Sequence, residues 1–380
     1  MFSNQNALRA MSCCGYSNNI EDKIRGIIYG NCVGDAIGLL TEFMQKSTIK
    51  AHYGKYSHLE YEYKIDDVHR VPWEIGDWTD DSDQMLLIAD VLCEYASKTI
   101  HEIDNKPSNE IECNEMGIKF AALLLNWAKH GFQELGDSGG CGIGRTTNRV
   151  LHQADFLTFP HEAAKRVWKD TGCQVAPNGG VMRTSVVSLF SFENLNTVIE
   201  NSLQFCLVTH HDYRCRASCV AVNVAIALML QGDPCYVTDN NELNIDAICR
   251  EAFHRGLEQI PEDYTKERDD YKLYMTVQSL EDLHLDDIMS IGYTLKCSGC
   301  GFWAVKQNNF RKTIESIVLA GGDSDTNCAV AGAMLGCRLG YSSIPNSWIT
   351  GLRHKAWLEE RFDRILHAVK TNSPDYFSAV

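Results

Sequence analysis

Eight prolines in 380 residues leave few points at which a helix must break. Runs that alternate apolar and polar residues are equally scarce, which argues against a sheet protein. Positive charge is also short. Thirty-five lysines and arginines stand against 50 acidic residues, and the net charge of -15 argues against a nucleic-acid backbone as the main partner. Anions can still be taken by local backbone donors. No Asn-x-Ser/Thr sequon and no signal peptide is found, and no apolar run approaches the about 20 residues needed to span a bilayer, so no membrane partner is expected. Cysteine is not scarce: there are 16. Yet Cys32, Cys93, Cys206, Cys219, Cys328 and Cys337 fall inside apolar helical patterns, where free cysteine behaves as a small hydrophobe. The expected compartment is therefore reducing, intracellular and cytoplasmic. The one CxxC, Cys297-Ser-Gly-Cys300, has no second pair or histidine cluster beside it and is read as core packing rather than a zinc or redox site.

What is present is helical periodicity. Apolar residues recur at three and four positions through most of the length, and 44% hydrophobic content is ample for one large core. The spacing predicts helices over residues 20–40, 82–98, 111–130, 144–154, 161–169, 180–190, 195–208, 214–230, 246–259, 282–295, 311–319, 325–339 and 352–369. Two of them carry small residues inside, GNCVGDAIG (Gly30 to Gly38) and AVAGAMLG (Ala329 to Gly336). Each glycine costs about 1 kcal/mol against alanine unless close packing compensates, so these stretches predict backbone-to-backbone approach. Residues 1–19 read as a flexible terminus, 20–372 as a single domain, and 233–287 as a charged surface excursion.

The chemistry is concentrated in two acidic stretches. Gly76 to Asp83 reads GDWTDDSD, with Thr79, Asp80 and Asp81 just before an apolar helix. Aspartate, serine and threonine at a helix start can simply cap amides and complement the macrodipole. A second stretch, GGDSDTN from Gly321, places Asp323, Asp325 and Thr326 before another apolar helix. Carboxylate and hydroxyl oxygens suit hard cations such as Mg²⁺, and the two stretches together would make a two-metal cage. An EF-hand does not fit, because neither stretch has glycine at loop position six with glutamate at twelve. Glu42, at the end of GDAIGLLTEF, is a third acid whose distance from the others cannot be read from spacing.

In this order, GDAIGLLTE, GDWTDDSDQM, GGCGIGRTT (Gly139 to Thr147), NGGVMR (Asn178 to Arg183), Thr209-His210 and GGDSDTNCAVAGAMLG resemble the ADP-ribosylglycohydrolase family over about residues 20–345. The resemblance implies an all-α, single-domain, orthogonal multi-helix bundle whose central cleft holds two Mg²⁺ ions, with Mn²⁺ as the alternative. By position it makes Thr79, Asp80, Asp81, Asp323, Asp325 and Thr326 metal ligands and Glu42 an acid on a mobile loop beside them. Gly139, Gly140, Gly142, Ile143, Gly144, Asn178, Gly179 and Gly180 would shape the wall around ADP-ribose, with His210 on the ligand side. Arg183 and the glycines are also consistent with helix packing alone. Two departures stand out. The glycine loop has Gly142-Ile143-Gly144 where relatives often carry aspartate, leaving only Asp137 as its acid, and Pro177 precedes Asn178.

The implied activity is hydrolysis of the bond between C1 of the ribose of ADP-ribose and a modified acceptor, a protein side chain or a small molecule. Such a site must orient the sugar, deliver water and protonate the leaving group. Glu42 is the expected proton carrier, and failing it Asp80 or Asp81. Two other functions remain open at this level. One is a non-catalytic ADP-ribose-binding relative; the other is a two-metal phosphoesterase acting on a nucleotide. The acceptor is not chosen by the sequence.

Overall fold

The computed structural model describes residues 20–96 and 113–377, so the terminus expected to be flexible lies outside the described residues, as do the ends of two expected helices. Among the described residues there are fifteen α-helices, short 3-10 turns and no strand beyond isolated bridges. The helices are α1 (Ile20–Gly38), α2 (Lys46–Tyr53), α3 (Asp80–Ala96), α4 (Glu115–His130), α5 (Arg145–Leu151), α6 (Pro160–Asp170), α7 (Leu195–Leu207) and α8 (Tyr213–Gln231). They continue with α9 (Ile245–Leu257), α10 (Thr265–Met275), α11 (Thr294–Ala304), α12 (Phe310–Ala320), α13 (Ser324–Leu339), α14 (Asn346–Gly351) and α15 (Lys355–Asn372). The fold is all-α, as the periodicity required.

The spine of the bundle is the pair α1 and α13, and glycine makes it. A Cβ at Gly30 would stand 2.2 Å from the Gly332 carbonyl oxygen, and one at Gly26 would stand 2.2 Å from that of Gly336. Further along, Gly34 faces the Cys328 carbonyl and Gly38 faces the backbone of Asp325. No side chain fits between these helices, so their axes approach as closely as backbone allows. The entropic cost of six glycines, four on α1 and two on α13, is offset by contact along the whole seam. One result is geometric: Asp35 on α1 is carried to the start of α13.

α8 runs through the centre, buried all round. Asp212 caps its first turn by accepting from the Arg214 amide at 2.9 Å. Gly232 ends it in the left-handed region at φ 58°. By length and composition this helix is apolar enough to cross a bilayer, which corrects the sequence-level expectation that no such run exists. Its burial inside the bundle accounts for that composition, since a helix that packs on every side is apolar on every side.

Three local expectations differ from the structure. Residues 180–190 are not an α-helix but turns and 3-10 pieces at Asn178–Gly180 and Val187–Phe190. Here the Ser188 hydroxyl donates to the Ser185 carbonyl at 3.3 Å, the kind of local bond by which serine competes with the helical ladder. Residues 282–295 likewise break into 3-10 turns at Leu280–Leu283 and Ile288–Ser290, because Ser279 and Asp287 cap short turns and Gly292 sits at φ +74°. The segment 233–287 holds α9 and α10, whose Ile248, Ala252 and Tyr271 are buried, so its charge marks only an outer face. Cys297 and Cys300 lie buried and unpaired on α11, where burial pushes both thiols up.

Candidate metal centre and ligand cleft

The two acidic stretches, about 240 residues apart in sequence, meet at the N-termini of α3 and α13. Ligand atoms of Asp35, Asp81 and Asp325 lie within 4.8 Å of one another, and so do those of Glu42, Asp323 and Asp325. Asp325 belongs to both sets. Asp35 was not expected there, and it organises the site. Its carboxylate accepts from the Thr79 amide at 3.0 Å and hydroxyl at 2.9 Å, and from the Ser82 amide at 3.0 Å and hydroxyl at 2.6 Å. One side chain from α1 thus caps α3 from outside and fixes the direction in which Thr79, Asp80 and Asp81 face. Thr326 lies beside both Asp81 and Asp323 and works against the rise in their pKa values, so it stands where the two stretches meet.

The other stretch is held by its glycines. Gly321 and Gly322 both take φ near +75°, at +75° and +76°, and a Cβ at Gly322 would meet the Leu285 carbonyl at 2.0 Å. The Gly322 amide donates to the Met44 carbonyl at 3.1 Å and its carbonyl accepts from the Phe43 amide at 2.6 Å. That isolated bridge draws the Glu42 loop onto the cluster. Glu42 is further tied by Arg70, which donates to its carbonyl and to the Leu39 carbonyl at 2.8 Å, and by His69 Nε2 at 2.6 Å from its carboxylate. The His69 pKa is raised, first by that hydrogen bond. In this structure the loop is anchored at several points.

Electrostatics mark the cluster as one that a cation would stabilise. Burial, reinforced for Asp80, Asp81 and Asp325 by the neighbouring carboxylates, pushes Asp35 up to about 7 and holds Asp80, Asp81 and Asp325 well above the carboxylate range; Asp323 is raised too. Asp81 Oδ2 and Asp325 Oδ1 are fully buried with no hydrogen-bond partner. An unpaired buried carboxylate oxygen is costly, and oxygen-only donors of this kind fit a hard divalent cation. The residues present therefore fit a metal site.

The expected cleft wall is assembled in part. Gly142, at φ +95°, packs over the metal side: a Cβ there would meet Asp80 Oδ1 at 2.5 Å. Gly140 lies on the Trp127 ring, whereas Gly139 and Gly144 touch little and Ile143 is half-buried. Asn178 donates to Asp323 Oδ2 at 2.9 Å, so it bridges wall and cluster. Gly179 leaves room for the His210 ring, 2.9 Å from where its Cβ would stand, and Gly180 packs on Cys206 and His210. Asp137 turns away and accepts from the Phe132 amide at 2.9 Å, consistent with a loop that carries no acid toward the cleft.

A family model described as ADP-ribosylglycohydrolase matches residues 16–375. The chain belongs to the ADP-ribosylglycohydrolase family. It is 24% identical over 337 residues, 87% of this chain and 75% of the relative, to the ADP-ribosylarginine hydrolase Tri1 of Serratia proteamaculans. It is 22% identical over 343 residues to the ADP-ribosyl-[dinitrogen reductase] glycohydrolase of Rhodospirillum rubrum, covering 90% of this chain and 94% of that one. A solved structure titled ADP-ribosylglycohydrolase-related protein complex shares the fold at TM-score 0.57 and 19% identity, over 93% of this chain and 99% of that chain. The protein is thus a hydrolase of the ADP-ribosyl glycohydrolase type, acting on ADP-ribosylated substrates, with an acidic cluster able to hold metal.

Within that family site, Asp35, His69, Arg70 and Gln84 were missed from sequence. A glycine on either side of Asp35 signalled close approach, and only the fold shows which residues it meets. His69 and Arg70 lie in a segment without periodicity, which offered no signal at all.

Proposed function

We propose that the protein hydrolyses the glycosidic bond between ADP-ribose and a modified side chain, using two Mg²⁺ ions held by Thr79, Asp80, Asp81, Asp323, Asp325 and Thr326, with Asp35 added to that set. The observation that carries this reading is the pair of orphaned, buried oxygens, Asp81 Oδ2 and Asp325 Oδ1, one from each acidic stretch. Divalent cations bound there supply Lewis-acid charge that orients ribose hydroxyls and acidifies water. The chain's own residues do the rest. Glu42, aligned by His69, carries the proton between the attacking water and the departing group as the C1 bond breaks. Asn178 and the glycine walls bind and orient the nucleotide, and Gly142 over Asp80 keeps that face closed to side chains.

For the acceptor, arginine is favoured, because two relatives are named ADP-ribosylarginine hydrolases. The test is to incubate the protein with arginine-linked and serine-linked ADP-ribosylated proteins, with Mg²⁺ or with chelator, and to identify products by mass. Free ADP-ribose from the arginine arm, abolished by chelator, is the expected result. Binding without release would indicate a non-catalytic relative, and phosphate release without glycosidic cleavage a phosphoesterase.

A further inference from the structure

Arg183 is completely buried, and no carboxylate among the described residues pairs with it. Its guanidinium lies 5.0 Å from the centre of the Phe120 ring, and burial pushes it down to about 10. A cation in such a place is retained at a cost, so its bonds repay inspection. They are with Gln84 Oε1 at 2.7 Å, the Phe205 carbonyl at 3.2 Å and Thr209 Oγ1 at 2.6 Å.

A guanidinium only donates, so each atom it meets must accept. Because Gln84 Oε1 accepts from Arg183, its amide nitrogen faces the other way and donates to Asp80 Oδ2 at 2.7 Å. The opposite amide orientation would set two donors against each other at Arg183. Thr209 Oγ1 also accepts from Arg183, and among the described residues the one acceptor recorded for its own proton is His210 Nδ1, 2.7 Å away. Nδ1 therefore accepts, and the ring proton of His210 sits on Nε2. Burial, aided by the Arg183 charge, keeps the imidazole neutral. Nε2 stands beside Gly179, 3.0 Å from the place a Cβ would occupy, and no acceptor among the described residues meets it.

We propose that Arg183 is a positioning residue for both banks of the cleft. Through Gln84 it aims Asp80 at the cation site, and through Thr209 it presents His210 as a neutral Nε2–H donor to an oxygen of the bound ADP-ribose. The ligand-side half of this inference rests on the function proposed above; the proton assignments do not. With the opposite tautomer, a ring lone pair would face the ligand oxygen and repel it. The polar chain Asp80–Gln84–Arg183–Thr209–His210 thus links metal side and ligand side through three buried side chains, Gln84, Arg183 and Thr209.

The test combines one spectrum and two variants. Nitrogen-15 NMR of the histidine rings in the unmodified protein should show His210 as a single Nε2–H tautomer with Nδ1 accepting a hydrogen bond; an Nδ1–H ring or a mixture overturns the proposal. Calorimetry then separates the arms. Thr209→Val should weaken ADP-ribose binding about tenfold, the scale of one lost hydrogen bond, with Mg²⁺ uptake unchanged, and Thr209→Ser should restore it. Gln84→Leu should do the reverse, weakening Mg²⁺ uptake about tenfold while leaving ADP-ribose binding without cation unchanged. Loss of both functions together in each variant, or of neither, overturns the positioning role. If the unmodified protein binds no ADP-ribose, the proposed function fails, and the spectrum and the Gln84 arm still decide the inference.

Discussion

Replacing Gly332 by alanine tests whether the seam between α1 and α13 builds the metal centre. Helix propensity alone says the change stabilises by about 1 kcal/mol, since Gly332 lies in the interior of α13. The structure says the opposite. The new methyl would stand 2.0 Å from the Gly30 carbonyl oxygen and 2.8 Å from its carbon, both backbone atoms that cannot rotate away. The helices must part by about 1 Å to reach ordinary contact. Overpacking of a close-packed core costs about 1–3 kcal/mol, and at a backbone-to-backbone contact the upper end applies, leaving a net loss of about 2 kcal/mol. At about 2.1 cal/mol/K per residue, a chain of 380 residues unfolds with an entropy of about 0.8 kcal/mol/K, so the melting temperature should fall by about 2–3 °C. The larger effect is on the site. Asp35 and Asp325 ride on the two separating helices, and coordination distances tolerate only about 0.2 Å. Mg²⁺ uptake should therefore weaken at least tenfold, out of proportion to the small loss of stability. Differential scanning calorimetry and titration calorimetry measure both numbers. A Gly332→Ala protein that melts higher and binds Mg²⁺ as before would refute the reasoning.

Asp325→Asn should raise the melting temperature of the cation-free protein at neutral pH, because it removes a buried carboxyl whose ionisation is disfavoured in the folded state, and should abolish the stabilisation that Mg²⁺ gives; calorimetry with and without cation checks both. The stabilisation by Mg²⁺ in the unmodified protein should grow as pH rises from about 4 to 7. Asp35 is raised to about 7 in the folded state, so below that pH cations must displace its proton, and the contribution of this raised group to cation-free stability is lost as pH climbs through the same window. Thermal shift at fixed Mg²⁺ across that range gives the sign directly. Glu42→Gln should lower kcat by at least about 10²-fold while the release of ADP-ribose remains dependent on Mg²⁺, measured by single-turnover mass analysis.

How much of this was readable in the sequence depends on the range over which a residue acts. The fold class came from apolar spacing, and the close crossing of α1 and α13 came from glycines whose cost demanded a reason. The two acidic stretches declared themselves by repetition. What could not be read was any contact whose partner lies elsewhere in the chain. Asp35 reaches Thr79 and Ser82, 44 and 47 positions away, and the glycines beside it signal a close approach without naming those partners. Arg183 reads as an ordinary basic residue until burial shows that it lacks a carboxylate. The segments 180–190 and 282–295 failed for a different reason: their apolar spacing is helical, but serine, aspartate and glycine offered the backbone competing bonds and turns.

The four aspartates of GDWTDDSD show why acidity alone does not identify a ligand. Asp77, at the edge of the cluster, lies 3.4 Å from His354 Nε2 in an ion pair available when that ring is protonated. Asp83 is half-buried, less so than Asp80 and Asp81, and desolvation raises its pKa too. Yet its two oxygens accept from the indole nitrogens of Trp78 at 2.8 Å and Trp127 at 3.0 Å, so both are satisfied by the protein. Asp80 has one oxygen held by Gln84 and the other turned toward Gly142, while Asp81 keeps Oδ2 buried and bare. Each neutral donor withdrawn from a buried carboxylate adds to the free energy that a cation recovers on binding. Supplying Asp83 with two tryptophans fixes the start of α3, whereas Asp81 keeps one oxygen without a donor, the kind of oxygen a cation would complete.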